Sequence, residues 1–238
     1  MKLDGRVAIV TGAGRGIGRA IARAFAADGA AVVLASRTPA ELAAAAAEIR
    51  DAGGRVLVVP TDVTAEAAVE ALVREALTQF SRVDILVCAA GSAAFGPVAD
   101  AKTADWDAML AVNLRGVMLA CRAVLPAMIG QRAGTIINIA SIAARRAIPG
   151  AAAYSATKAG VVAFSRVLAE ELRGAGVRVG VLLPVAVDTQ IWDAVPDAPD
   201  RAKMLRPDEV AAAALLIATL PPSAALEELT LLPAGGIL

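Results

Sequence analysis

Tyr154 and Lys158 stand four residues apart, and Ser141 lies thirteen residues before the tyrosine. Tyr154 is the only tyrosine of the chain, and histidine is absent. Four residues is about one helical turn, so the phenol and the ammonium share a helix face with Cβ atoms ~5–6 Å apart. A lysine held there favours the phenolate and is expected to draw the tyrosine pKa down from its free value of ~10. A chain without histidine needs another side chain for proton transfer, and this pair is the candidate. A Tyr-x-x-x-Lys also occurs on ordinary helices as a half-buried phenol beside a solvated lysine. The pair therefore gains its meaning from the elements that must position it.

The 238 residues are 58% apolar, with alanine in excess and only 3% aromatic. That suits one large α/β domain over residues 1–238, with closely packed helices on a sheet. The formal net charge is zero, so neither nucleic acid nor an anionic membrane is an implied partner. Cys88 and Cys121 give no disulfide framework and no metal-ligand spacing. Without histidine, zinc sites and Ser-His-Asp triads are excluded. Residues 1–5 lack the apolar core of a signal peptide. The apolar stretches read as short and interrupted, below the ~20 residues that span a bilayer. A soluble, reducing, cytoplasmic setting is the expectation.

Short β-branched runs alternate with alanine-rich segments. Strands are predicted at 7–11, 31–35, 56–59, 85–88, 135–139, 177–183 and 229–232. Most are continuous apolar runs, as strands read when helices cover both sheet faces. Helices are predicted at 16–28, 40–52, 65–80, 103–129, 152–174 and 207–220. Gly29 and Gly53 read as helix stops. Thr64 fits half a capping box, and Asp208 and Glu209 after Pro207 suit a helix start. The alternation implies a Rossmann-like, doubly wound parallel sheet of seven strands with helices on both faces.

Between the first strand and first helix stands Thr11-Gly12-Ala13-Gly14-Arg15-Gly16-Ile17-Gly18. Alternate glycines leave the backbone open to a diphosphate, and the helix start behind them offers free N–H groups. The spacing departs from G-x-G-x-x-G and fits T-G-x-x-x-G-x-G. With Asn113, Ser141, Tyr154 and Lys158 following in order, the chain resembles the short-chain dehydrogenase/reductase family, from about Arg6 to Gly236.

That resemblance implies hydride transfer between nicotinamide and a carbonyl or secondary alcohol. It makes Tyr154 the proton donor or acceptor, and Ser141 the hydrogen-bond partner of the reacting oxygen. Lys158 would tune the phenol and hold the nicotinamide ribose. Asn113 would anchor a water that links lysine to solvent; its plainer reading is an asparagine bonding locally within a helix. The second strand ends Ala35-Ser36-Arg37, where NAD-preferring members carry aspartate. Ser36 and Arg37, with Arg15, suit the 2′-phosphate of NADP(H) rather than NAD(H). Asp62 and Val63 resemble the adenine contact.

The family's Asn-Asn-Ala-Gly is here Cys88-Ala89-Ala90-Gly91, and Val185 replaces the glycine after Pro184. The lost amides are expected to leave the first turn less braced, and Val185 to narrow the pocket. Thr189 is the expected contact of the carboxamide or diphosphate. The expected substrate wall comprises Ala93, Ala94, Phe95, Ala143, Ile148, Val185, Ile191 and Trp192. Arg145 and Arg146 read as facing water rather than an acidic substrate. Trp192 reads equally as a substrate contact or as plain packing. Residues 190–206, with Pro196, Pro199 and three aspartates, form an expected irregular lid. Glu170, where a basic residue would suit an acidic acyl carrier, argues against a carrier-protein substrate. A small-molecule carbonyl or alcohol substrate and a homodimer or homotetramer are the implied partners. An NAD-dependent alcohol dehydrogenase, or a non-catalytic dinucleotide sensor or scaffold on the same fold, are the alternatives.

Overall fold

The seven apolar runs form one parallel sheet: β1 (Val7–Thr11), β2 (Ala31–Ser36), β3 (Arg55–Pro60), β4 (Ile85–Cys88), β5 (Gly134–Ile139), β6 (Val177–Pro184) and β7 (Glu228–Leu231). Their order across the sheet is β3-β2-β1-β4-β5-β6-β7. This is a computed structural model, and it describes residues 1–193, 195 and 198–236. Pro196 and Asp197 of the expected lid lie outside the described residues.

Adjacent residues of one strand feed opposite faces. Val7 and Ile9 of β1 enter one core; Ala8 and Val10 enter the other. Helices α1 (Gly16–Ala27), α2 (Pro39–Asp51) and α7 (Pro207–Ala218) cover the second face. Helices α3 (Glu66–Phe80), α5 (Gly116–Gln131) and α6 (Ala152–Leu172) cover the first. Burial on both sides explains why the strands lack alternation in sequence.

The helix expected over 103–129 is interrupted. An α-helix, α4 (Thr103–Leu110), passes into a wider π turn over Ala111–Arg115 before α5 begins. Together they run 29 residues, Thr103–Gln131, within which an 18-residue stretch has mean hydropathy 1.6. This corrects the reading that every apolar stretch is short: by length and composition this one suffices to cross a membrane. Here its Val117, Ala120, Cys121, Val124 and Met128 are buried against the sheet.

Thr64 does not cap α3; Ala65 holds that position, and Thr64 is drawn back to Asp62. Gly29 and Gly53 do follow α1 and α2 with left-handed φ of 101° and 79°. Glu209 accepts a 2.7 Å bond from the Arg206 N–H at the start of α7.

The strand order reverses between β1 and β4, and a crevice opens there at the carboxyl ends of the strands, where such sheets bind ligands. The glycine turn leaves β1 and the Ala89–Gly91 segment leaves β4. The two meet at that point.

Candidate active site

Gly12 and Gly18 show why the turn after β1 requires glycine. A β-carbon on Gly12, whose φ is +68°, would stand 2.7 Å from the Ala90 nitrogen. One on Gly18 would stand 2.3 Å from the Gly12 carbonyl oxygen. The turn is therefore packed against the end of β4 with no room for side chains. Ile17 turns its side chain into the apolar core behind the turn.

The turn after β4 is braced despite its missing asparagines, which corrects the expectation of a looser segment. The Ala89 and Ala90 N–H groups both donate to Thr11 Oγ1, at 3.1 and 3.3 Å. That hydroxyl donates onward to the Val87 carbonyl at 3.3 Å. Gly91 continues the segment towards Asn113 and Lys158: a β-carbon there would lie 3.5 Å from Asn113 Oδ1 and 3.8 Å from Lys158 Nζ. Thr189 reaches the same crevice, its Cγ2 3.2 Å from where a Gly16 β-carbon would be. Pro184 and Val185 end β6 beside β7, and the Val185 N–H bonds the Leu231 carbonyl at 3.0 Å.

At the end of β2, the Ser36 hydroxyl is buried without a hydrogen-bond partner. Gly14 faces it. A β-carbon on Gly14 would lie 3.0 Å from Ser36 Oγ and 3.0 Å from Glu41 Oε2. Arg15 Nε stands 4.0 Å from Glu41 Oε1. Arg37 lies near enough to Asp62 to help hold its carboxyl below the usual range; the larger causes are the Thr64 N–H and hydroxyl, which donate to Asp62 Oδ1 at 2.9 and 2.8 Å. Val63 is buried beside Gly116. An orphaned buried hydroxyl, two arginines and a glycine cradle fit a phosphorylated ribose and diphosphate.

Ser141, at the mouth of β5, accepts from the Ala143 N–H at 3.2 Å and so starts a one-turn helix, Ile142–Ala144. Tyr154 and Lys158 lie on α6 as their spacing requires. Lys158 Nζ is 5.7 Å from the tyrosine ring centroid and donates to the Ile139 carbonyl at 2.8 Å. The pKa expectation is corrected here. Burial pushes the Tyr154 phenol up, and the neighbouring Ser141 hydroxyl only partly offsets it. Burial also lowers Lys158, to about 8. The ammonium reaches the ring region with one of its three N–H groups engaged by a carbonyl. In the free protein desolvation outweighs any attraction of the pair.

Asn113 is fully buried inside the π turn. Its Oδ1 accepts from the Ser92 N–H at 2.8 Å, and its Nδ2 donates to the Ser92 carbonyl and to Thr157 Oγ1. The bonds are long-range, so the plain helix-local reading is set aside. Both amide protons and one acceptor position of Oδ1 are used by the protein.

On the substrate side, Phe95 joins two aromatic neighbours. Its ring lies 5.8 Å from that of Tyr154 in a tilted contact, and 5.8 Å from Trp192 in a parallel stack of 3°. Trp192 Nε1 donates to the Val187 carbonyl at 3.0 Å. Ala143 and Val185 are buried, Ile148 is exposed, and Ala93, Ala94 and Ile191 are half-buried. Arg145 does not simply face water: Glu228 of β7 accepts from it with both oxygens, at 2.8 and 2.7 Å, and from Arg166 of α6 at 2.7 Å. Arg146 is exposed. Leu205, near the end of the expected lid, donates its N–H to the Ala186 carbonyl and accepts from the Asp188 N–H. Arg201 pairs Asp188 and Asp193 within them.

Three contributors escape sequence reading: Thr11 as a brace, Glu41 beside the ribose position, and Glu228 as a clamp on Arg145. Thr11 heads the glycine motif, but its role depends on where β4 ends. Glu41 in the first turn of α2 signals only a favourable helix dipole. Glu228 carries no local signal.

Comparison with known proteins agrees with this geometry. A family model for short chain dehydrogenases matches residues 6–200. The chain is 40% identical over 227 residues to a D-threitol dehydrogenase of Mycolicibacterium smegmatis, covering 92% of this chain and 87% of that protein. It is 38% identical over 231 residues to an uncharacterised oxidoreductase of Staphylococcus aureus, covering 97% and 98%. Among solved structures, a metagenomic short-chain oxidoreductase in complex with NADP shares 38% identity with a TM-score of 0.87, covering 98% of this chain and 99% of that one. An alcohol dehydrogenase from Thermococcus sibiricus, complexed with 5-hydroxy-NADP, shares 33% with a TM-score of 0.88, covering 96% and 97%. Sequence, strand order and crevice thus agree along nearly the whole length, and the chain belongs to the short-chain dehydrogenase/reductase family of NAD(P)-dependent oxidoreductases.

Proposed function

We propose that the protein is an NADP(H)-dependent oxidoreductase acting on a carbonyl or secondary alcohol, with Tyr154 as acid and base. The observation that carries this is the junction of Ser141, Tyr154 and Lys158 beside the glycine crevice. A bound nicotinamide supplies or accepts the hydride. Every other task falls to the chain. Ser141 and Tyr154 hold the substrate oxygen between two hydroxyls, which orients the reacting carbon. A phenol whose pKa is raised is protonated at neutral pH, ready to donate in the reducing direction. Oxidation needs the phenolate, and nucleotide positive charge together with charged Lys158 favours it.

The preference for NADP(H) over NAD(H) rests on the orphaned Ser36 hydroxyl with Arg37 and Arg15 at the same corner. Gly12, Gly14, Gly16, Gly18, Ala89, Ala90, Gly91 and Thr189 line the diphosphate and nicotinamide path, with Asp62 and Val63 at the adenine end. The relatives solved with NADP and 5-hydroxy-NADP support this. Residues 190–206 act as the substrate lid, in a cytoplasmic protein. The exposed Leu110, Met118 and Val167 on α4, α5 and α6 suit a homodimer or homotetramer. Light scattering at a multiple of 24.0 kDa checks that.

Turnover of ketones with NADPH by the intact protein and by Tyr154→Phe tests the chemistry. The variant is expected to lose about a thousandfold in kcat. Equal activity removes Tyr154 from the role. Firm nucleotide binding without turnover of any carbonyl favours the sensor reading instead.

A further inference from the structure

The substrate side of the site carries a chemistry of its own. Phe95 comes from the segment after β4, and Trp192 from the segment after β6. Their rings stack in parallel, and Phe95 also makes a tilted contact with the Tyr154 ring. Two separate loops therefore meet as aromatic faces directly beside the reacting phenol. Trp192 has one hydrogen-bond donor, and the Val187 carbonyl holds it at 3.0 Å. Only the apolar faces of the indole remain to meet a ligand.

Charge is withdrawn from the same region. Arg145, four residues after Ser141 in the turn that follows the serine, is held by both oxygens of Glu228. Both carboxylate oxygens sit on the single nitrogen Nη2, so a substrate carboxylate would have to share the guanidinium with Glu228. Arg201 of the lid segment is engaged by Asp188 and Asp193. Val185, where a glycine would leave space, adds a buried branched methyl surface.

We infer that the substrate is a neutral ketone bearing an aromatic ring next to the carbonyl, or the corresponding benzylic alcohol, whose ring packs against the stacked Phe95–Trp192 pair. Parallel and tilted aromatic contacts contribute beyond the area they bury. A polyhydroxylated ketone would lose hydration against these rings, which offer its hydroxyls no hydrogen-bond partner. Arg145 and Arg201 are already paired, so a 2-oxo acid would compete with a protein carboxylate for either, and of the two arginines after Ser141 only the exposed Arg146 has no ion-pair partner among the described residues. This rests on the hydride-transfer reading and extends it to the substrate class.

The test compares acetophenone, 1,3-dihydroxyacetone and pyruvate with NADPH, in the intact protein and in Phe95→Leu and Trp192→Leu. Leucine keeps apolar bulk and removes the flat face. Acetophenone is expected to exceed the other two by at least a hundredfold in kcat/KM. Each leucine variant is expected to reduce the acetophenone-to-dihydroxyacetone ratio at least tenfold. Dihydroxyacetone or pyruvate as the better substrate, or an unchanged ratio in both variants, overturns the inference and leaves hydride transfer standing. Calorimetric titration of the NADP complex with 1-phenylethanol and with erythritol separates the two readings. Tight binding of the aryl alcohol alone, without turnover of any ketone, sustains the recognition and removes the hydride-transfer reading. Binding of neither, or of erythritol alone, overturns the recognition.

Discussion

At the scale of single residues, the corner at the end of β2 is contested. Ser36, Arg37 and Arg15 favour a phosphate, while Glu41 sits beside them with its carboxylate 4.0 Å from Arg15. A dianionic phosphate ~4–5 Å from a carboxylate in water is repelled by about 1–2 kcal/mol after screening by salt. Glu41→Gln is therefore expected to raise the ratio of NADP to NAD affinity about tenfold, read by equilibrium titration with each nucleotide. Arg15→Ala should move the ratio the other way. A ratio indifferent to Glu41 would place that carboxylate outside the ribose site. The pairing of Tyr154 with Lys158 on one helix face was legible because four-residue spacing on a helix survives any packing. Their ionisation was not legible: the sequence suggests a lowered phenol, and burial of the site reverses that in the free protein.

At the scale of elements, the turn after β4 depends on the residue that ends β1. Thr11 Oγ1 serves two N–H groups and one carbonyl. Thr11→Val keeps the shape and removes all three bonds, leaving two buried donors unmet. A loss of about 2 kcal/mol is expected, or roughly 4–8 °C in Tm, together with weaker nucleotide binding. Thr11→Ser should restore most of both, which thermal melts with and without NADP will check. The same brace explains why alanines are tolerated at 89 and 90. Helices and strands were legible to within a residue or two from apolar runs and glycine stops. The π turn at Asn113 was not, since it arises from bonds to Ser92 and Thr157, 21 and 44 residues away.

At the scale of the whole molecule, two buried ionisable groups link stability to pH in opposite ranges. Asp84 holds the start of β1 to β4. Burial opposes its charge, yet Arg82, the Val7 N–H and Arg6 together keep its carboxyl below the usual value. A depressed carboxyl stabilises the fold above its unfolded pKa, so this contribution is lost as pH falls through the folded value. Lys158 behaves otherwise. Its folded pKa is about 8 against 10.5 unfolded, so the unfolded chain binds more protons in between. Stability is expected to rise between about pH 8 and 9. Cys88, pushed up by the neighbouring Cys121 thiol and by burial, and Tyr154, pushed up by burial, act in the opposite sense above about 9 and 10. Urea melts across pH 7–9 should show this rise in the native protein and a flatter profile in Lys158→Met. An identical slope in both would assign the rise to other groups.

The sequence by itself determined the doubly wound sheet, the glycine turn and the helical pairing of Tyr154 with Lys158. Each is written in local spacing: continuous apolar runs, absent side chains, and one turn of helix. Only the tertiary structure decided which charges are free and which are spent. Glu228 takes Arg145, Glu41 approaches Arg15, and burial shifts the phenol and the amine. Those outcomes depend on distances between segments far apart in the chain and on exclusion of water, and neither is encoded in any short stretch.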